Sequence, residues 1–228
     1  LFNSEKYLTE TIDSIVNQTY TNWELIITDD FSSDKGYDLA KFHSEHDKRI
    51  FLYKLNKNSG AGFARNNSIK HSKGRFIAFC DSDDQWKANK LEIQVSFMIK
   101  NKYDFTCSGF DVIDEAGKFI ETTQPPRKLT FSKLLINNYV GCLTAIYDTK
   151  SLGKIYMPLI RKRQDWVLWI TILKKIKKTE GINTSLATYR LRSNSISKNK
   201  FNLIIHNWNV YHQVLGYNKF KSVLLMLN

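Results

Sequence analysis

The 228-residue chain has few of the features that usually announce a task. Its three cysteines, Cys80, Cys107 and Cys142, are odd in number and widely spaced, each in an apolar run, with no Cys-x-x-Cys pair. They read as reduced, buried thiols, which points to a reducing compartment. No run of about eighteen uncharged apolar residues is available for a transmembrane helix, so the expected molecule is soluble or peripheral. Internal repeats and low-complexity linkers are also missing. Gly60 and Gly62 do not make a dinucleotide fingerprint, because Arg65 stands at the third glycine position, and no Gly-Lys-Ser/Thr phosphate loop follows. No Ser/His/Asp or Cys/His set is assignable. His43, His46 and His71 lie in the charged first half, and His206 and His212 lie in the tail. His43 and His46 can share a helix face, but without a third ligand they read as solvated surface residues.

What is present is a chain 42% hydrophobic and 25% charged, enough for one domain with a substantial core. Thirty-four Lys and Arg against 22 Asp and Glu give a net charge of +12, which favours an anionic partner. Nucleic acid, an acidic membrane surface and a diphosphate-bearing substrate all satisfy that sign, and only motifs can choose among them.

The chain opens on Leu1-Phe2-Asn3 and runs straight into a helical pattern, which suggests that an N-terminal strand precedes it. Ser4 is positioned to cap a helix carrying Leu8, Ile12, Ile15 and Val16 at helical spacing. Strand 23–28 then ends on Asp29-Asp30. A helix over 36–47, a strand over 50–55, a helix over 61–71 and a strand over 75–80 follow, the last running into Asp81. This alternation, continuing to about residue 102, predicts an α/β fold with a mainly parallel central sheet covered by helices on both faces. Such sheets bind ligands beyond the strands' carboxyl ends. From Tyr103 the pattern turns mixed: a hairpin of 104–114 and 119–122, a helix over 131–137, a strand over 142–147, a helix over 164–175, a strand over 186–190 and a C-terminal helix from about Leu203. The expected division is a first half, 1–102, a smaller mixed part, 103–200, and a helical extension, 201–228.

Two first-half strands end in acidic groups, Asp29-Asp30 and Asp81-Ser82-Asp83-Asp84. Close carboxylates repel one another, and Mg²⁺ or Mn²⁺ relieves that while keeping substrate phosphates in its shell. The bland reading is that they are solvated loop residues or helix caps, with Asp84 capping a helix at Trp86. Three segments taken in order argue against it: Asn3 with Ile26-Ile27-Thr28-Asp29-Asp30-Phe31-Ser32-Ser33-Asp34, then Asn58-Ser59-Gly60-Ala61-Gly62-Phe63-Ala64-Arg65-Asn66, then Phe79-Cys80-Asp81-Ser82-Asp83-Asp84-Gln85-Trp86. Together they resemble an inverting, family-2 glycosyltransferase of the GT-A type, over about residues 1–197 and most weakly between 103 and 162.

The resemblance implies a GT-A nucleotide-diphospho-sugar transferase fold and a Mn²⁺ or Mg²⁺ cofactor. It implies nucleotide binding by Asn3, Asp30, Arg65 and Asp81, with Asp81 on the ribose side and Asp83 on the metal. Chemically, Asp30 can accept from a base N–H or ribose hydroxyl, and Arg65 offers a fixed fork of donors. An inverting transfer also needs a carboxylate opposite the leaving group to take the acceptor's proton. Arg163-Gln164-Asp165-Trp166, opening an apolar helix, resembles the family's segment bearing that base, so Asp165 is the candidate; Gln164 replaces a commoner acidic residue. Taken alone, Asp165 would be read as an acidic first-turn residue favouring the helix dipole. Tyr189-Arg190-Leu191-Arg192-Ser193-Asn194-Ser195-Ile196-Ser197 resembles the Tyr-Arg and Ser-x-Ser segment that meets the diphosphate, which nominates Arg190 and Arg192, against the alternative of a plain basic strand end.

The tail holds Lys174-Lys175-Ile176-Lys177-Lys178, Lys198, Lys200, Lys219 and Lys221 beside a helix with Ile204, Ile205, Trp208, Tyr211, Val214 and Leu215. It is read first as a helix packed on the core with a solvated basic face. The sharper expectation sets that face against anionic lipid, with Trp208 and Tyr211 near the headgroups. The implied partners are thus a nucleotide-sugar donor, probed first as UDP-hexose or UDP-N-acetylhexosamine, a glycan or lipid-linked sugar acceptor and an anionic membrane, with no nucleic acid. The implied setting is cytoplasmic, at the inner face of the cell membrane, in bacterial capsule, O-antigen or lipooligosaccharide synthesis. Two alternatives remain open at this point. A sugar nucleotidyltransferase should show a Gly-rich basic phosphate loop, and a basic nucleic-acid-binding module leaves the acidic strand ends unexplained.

Overall fold

Alternate residues of the central strands enter two different cores, and this period of two puts helices on both faces of the sheet. The structure, a computed structural model, describes residues 1–192 and 200–227. The Ser193 to Ser197 part of the Tyr-Arg segment, and Lys198, lie outside the described residues.

Helix α1 (Leu8–Val16), β1 (Leu25–Asp29), α2 (Gly36–His46), β2 (Ile50–Lys54), α3 (Ala61–His71) and β3 (Phe76–Ala78) alternate as expected. They are followed by β4 (Gln85–Trp86), α4 (Lys90–Asn101), β5 (Phe105–Ile113), β6 (Phe119–Thr123), β7 (Lys128–Thr130) and α5 (Phe131–Ile136). After a 3₁₀ turn at Cys142–Thr144 come β8 (Ile146–Asp148), α6 (Thr149–Leu152), α7 (Gln164–Ile176) and β9 (Lys178–Arg190). Helix α8 (Lys200–Asn209), a π-helical turn at Val210–Val214 and α9 (Lys219–Met226) follow.

Strands β1 and β2 pair in parallel, with Asp29 opposite Lys54. The larger sheet has seven strands in the order β3-β8-β5-β9-β4, with β6 beside β5 and β7 beside β9. Its β5–β9 pair is parallel and the other ladders are antiparallel, so the α/β class stands with a mixed central sheet. Ile77, Phe105, Cys107 and Tyr147 turn into one core with Trp166, Leu168 and Trp169 of α7. Their neighbours Phe76, Ala78, Ile146 and Phe110 turn to the other, with Trp86, Leu91 and Met98. Trp169 stacks on Phe105 at 5.3 Å and meets Phe79 edge-on at 5.6 Å.

Several local expectations are corrected. Ser4 does not cap α1 through its side chain; its Oγ donates to Phe2 O and accepts from Ser82 Oγ at 2.8 Å, tying the chain start to the Asp81 loop. Trp86 lies in β4 and the next helix begins at Lys90, so Asp84 caps nothing there. The segment expected as a strand from Cys142 begins instead as a 3₁₀ turn, where Thr144 donates from both N and Oγ1 to Gly141 O. Strand β9 starts at Lys178, well before Leu186, because its polar early half is held by β7 and by Cys107 opposite Gly181, a tertiary pairing that overrides weak local preference. Of the cysteines, Cys107 is buried while Cys80 and Cys142 are partly covered, and all three are free thiols. Residue 200 marks no break in the core: Val210 and Tyr211 belong to the same cluster as α7. Tyr211, only 1% exposed, cannot meet a headgroup; it packs edge-on against Trp166 and its Oη donates to Leu135 O.

Candidate active site

The start of α3 is tied to the end of β1 through Asp30, and Arg65 of α3 joins the loop after β3 to the head of α7. Gly60 precedes α3 with φ +91, where open space surrounds it and conformational freedom rather than room demands glycine. This turn delivers two backbone N–H groups to Asp30, whose Oδ1 accepts from Ser59 N at 2.6 Å and Oδ2 from Gly60 N at 2.8 Å. Asp30 is buried and clamps the loop before α3, with one lone pair of each oxygen already used. Asp29 does the same for the Ser32 turn, accepting from Ser32 N and Oγ. Asn3, with φ +47, accepts from Ser33 N at 2.9 Å and so joins the chain start to that turn.

From α3, Arg65 sends Nη2 to Asp81 Oδ1 at 2.5 Å and Nη1 to Gln164 Oε1 at 3.1 Å. Burial works against its charge, but Asp81, Cys142 and Asp165 outweigh that and hold Arg65 above the usual arginine range. Gln164, buried at the head of α7, also donates to Ile160 O. A Cβ on Gly62 would lie 2.9 Å from the Gln164 amide, so a glycine one turn before Arg65's neighbour Asn66 is what lets α7 approach α3. Gln164, which replaces a commoner acidic residue, is therefore the bridge between the two helices.

Within the acidic loop the three aspartates have distinct partners. Asp84, 2% exposed, accepts from Arg190 N at 3.0 Å. Burial, then Asp81 and Asp83, pushes its carboxyl well above the usual range. Asp83 accepts from Arg192 Nη1 at 3.2 Å and is also raised, by burial first and then by Asp81. Asp81 is the most open of the Asp81–Arg65 pair.

The two nominated arginines part company. Arg190 is buried: its Nη2 donates to Glu10 Oε2 at 2.6 Å, its Nε to Asp83 O at 3.3 Å, and its guanidinium lies 4.4 Å from the Tyr7 ring centre. This side chain braces the acidic loop against α1. Arg192 is the open one, paired with Asp83 at the rim. Asp165, in the first turn of α7, accepts from Asn138 Nδ2 at 3.1 Å, and burial raises its carboxyl although Arg65 pulls it down. Asn138, Glu10 and Tyr7 were not among the sequence-derived candidates; their partners lie far along the chain, with no local signal.

Among the described residues no three His, Cys, Asp or Glu side chains gather as a ready ligand set. The donors nonetheless suit a hard cation. Mg²⁺ and Mn²⁺ sites of this kind take one or two carboxylates and complete their shell with substrate phosphates and water. Asp83, held only by the rim arginine Arg192, is the carboxylate that could serve once that pair opens.

Acidic clusters at strand ends, joined by an arginine to a helix bearing a further carboxylate, define a nucleotide-dependent transferase on an α/β sheet. Residues 1–170 match the family described as Glycosyl transferase family 2. The chain is 40% identical over 217 residues to a putative teichuronic acid biosynthesis glycosyltransferase, TuaG, of Bacillus subtilis, covering 93% of this chain and 85% of that protein. It is 40% identical over 215 residues to WfgD of Escherichia coli, named UDP-Glc:alpha-D-GlcNAc-diphosphoundecaprenol beta-1,3-glucosyltransferase, covering 92% and 81%. The crystal structure of S. aureus TarS 1–349 in complex with UDP-GlcNAc superposes with a TM-score of 0.71 at 20% identity, over 99% of this chain and 68% of that one. The chain belongs to glycosyl transferase family 2: it is a glycosyltransferase with the GT-A fold.

Proposed function

We propose that the protein moves a hexose or N-acetylhexosamine from a UDP-sugar to a hydroxyl of a lipid-linked or glycan acceptor, with inversion, in the synthesis of a bacterial surface polysaccharide. The observation that carries this reading is the Arg65 bridge, which ties Asp81 in the acidic loop to Gln164 beside Asp165. The relatives support the donor and acceptor classes: WfgD is named for UDP-Glc and a GlcNAc-diphosphoundecaprenol acceptor.

Residues 1–102 serve the donor and 103–200 chiefly the acceptor in this account, with Arg190 and Arg192 at the end of β9 reaching back to the donor side. Asp30, Asn3, Asp81 and Arg65 line the nucleotide side, Asp30 by shaping the loop before α3. Asp83 would hold a divalent cation, which would supply charge neutralisation to the diphosphate. Arg192 exchanges Asp83 for a phosphate oxygen, which frees the carboxylate and adds positive charge where the leaving group develops negative charge. Asp165 takes the proton of the attacking hydroxyl, a role suited to a carboxyl raised above the ordinary range.

Transfer from UDP-Glc, UDP-Gal and UDP-GlcNAc to a GlcNAc-diphospholipid acceptor tests the reading. A β-linked product from an α-linked donor is expected, and an α-linked product by NMR would refute inversion.

Peripheral contact with the inner face of the cell membrane completes the proposal. No helix among the described residues is long and apolar enough to cross a membrane. Phe220, Val223 and Leu224 of α9 and its C-cap Leu227 nonetheless form an exposed i, i+3, i+4, i+7 stripe, flanked by Lys219 and Lys221. Phe220 and Leu227 are about four-fifths exposed, at 80% and 79%. An apolar stripe with lysines beside it suits the interface of an anionic bilayer, and it takes the place of the buried Tyr211 in that role. Flotation with anionic vesicles at low salt should carry the protein upward, less so after Phe220→Ser and Leu227→Ser together.

A further inference from the structure

The segment after α5 reaches the proposed base. Asn138 Nδ2 donates to Asp165 Oδ2 at 3.1 Å, while Asn138 Oδ1 accepts from Val140 N at 3.2 Å. An amide engaged at both ends cannot flip without losing both bonds, so it fixes one oxygen of the carboxylate and with it the carboxylate's orientation. The nearby cation is occupied elsewhere, since Arg65 gives Nη1 to Gln164 and Nη2 to Asp81.

The segment carrying Asn138 is itself pinned to α7 and to the C-terminal helices. Trp166 Nε1 donates to Leu134 O at 2.6 Å, and Tyr211 Oη donates to the next carbonyl, Leu135 O. Leu134, Leu135 and Val140 are buried. At the entry to α7, Arg163, with φ +68, donates from Nε to Asn207 Oδ1 of α8 at 3.0 Å. Thus both sides of Asp165 are held, one by α5 and its following loop, the other by α8.

We infer that Asn138 is a positioning residue for the transfer reaction: it holds one oxygen of Asp165 so that the other meets the acceptor hydroxyl. This rests on the reading of Asp165 as the base. As the acceptor oxygen bonds to the anomeric carbon, the bond from that carbon to the diphosphate oxygen breaks, its electron pair leaving with the nucleotide, and the hydroxyl proton passes to Asp165. A hydrogen bond to the ionised carboxylate favours that form. Asn138 therefore acts in the same sense as Arg65 and against burial and Asp81; Arg163 from α7 and Cys142 beyond α5 complete the titratable and charged surroundings.

The test compares Asn138→Ala and Asn138→Asp with Asp165→Asn for kcat, donor KM, the pH profile of kcat, UDP binding and thermal unfolding. Loss of one hydrogen bond to a charged group predicts a fall in kcat of about tenfold for Asn138→Ala, with donor KM within about twofold of wild type. The acid limb of its kcat profile should move to higher pH. Asn138→Asp keeps the shape but loses the donor and adds a like charge, so its kcat falls further and its limb moves further, even if the alanine variant folds poorly. Wild-type kcat and an unmoved limb in both variants, with Asp165→Asn inactive, would overturn the inference alone. Wild-type turnover in Asp165→Asn would overturn the base reading and the inference together.

Discussion

The two sides of the site are built on opposite physical plans. On the proposed donor side, charges crowd at strand ends and neutralise one another in pairs: Arg65 with Asp81, Arg192 with Asp83, Arg190 with Glu10. On the proposed acceptor side a single carboxylate, Asp165, stands at the head of a helix whose Trp166, Leu168, Trp169 and Ile170 are buried in the main core. The first plan makes a site that a charged ligand must rearrange, because diphosphate and cation compete with pairs already made. The second makes a rigid mount for the proposed proton acceptor. A transfer enzyme gains from this division, since the leaving group needs mobile charge compensation while the base needs fixed aim.

The comparison breaks most sharply at Asp165. Asp165→Asn should lower kcat roughly 10²–10⁴-fold, the usual worth of a positioned base, while UDP binding measured by calorimetry stays at its wild-type value. Equal losses in both would mean that the two sides are one unit. A smaller effect is expected from Gly62→Ala, which pushes a Cβ into the Gln164 amide and so loosens the bridge joining the sides. Overpacking there should cost about 1–3 kcal/mol in thermal or urea unfolding and lower kcat about tenfold.

Smallest is a pH effect confined to the donor side. Lys90, fully buried beneath Trp86 with Nζ on Gln94 Oε1 at 2.5 Å, is lowered by burial to about 7 from 10.5. Below that value it is protonated in both folded and unfolded chains. Above it the unfolded chain binds more protons, so its contribution to stability rises as pH climbs from about 7 towards the unfolded value. Melting temperatures at pH 7 and pH 9 should show this rise in the wild type and a flatter response in Lys90→Met. An identical slope in both proteins would remove Lys90 from the account.

What could be read from the sequence follows the range of each interaction. The strand-end aspartates, Arg65 at the start of α3 and Asp165 at the start of α7 are local patterns, and the structure brings Arg65, Asp81 and Gln164-Asp165 together. The hairpin and α3 were legible for the same reason, since turn chemistry and apolar spacing are local. Partners across the chain were not. Gln164 meets Arg65 from 99 residues away, and Glu10 meets Arg190 from 180. The burial of Arg190 depends on Tyr7 and Glu10, so nothing in its own segment distinguishes it from the open Arg192. Tyr211 looked like part of an amphipathic surface because helical spacing reports that a face is apolar, not which of two apolar faces the core takes.

The central claim is that the Asp81 to Asp84 loop holds a cation and a nucleotide diphosphate. Titrating UDP into the protein with and without Mn²⁺, for wild type and Asp83→Ala, tests it directly. The account predicts UDP binding in the wild type that depends on Mn²⁺ and weakens as pH falls through the raised range of Asp83, with the metal dependence lost in Asp83→Ala. Binding that ignores Mn²⁺, or that survives unchanged in Asp83→Ala, would contradict it.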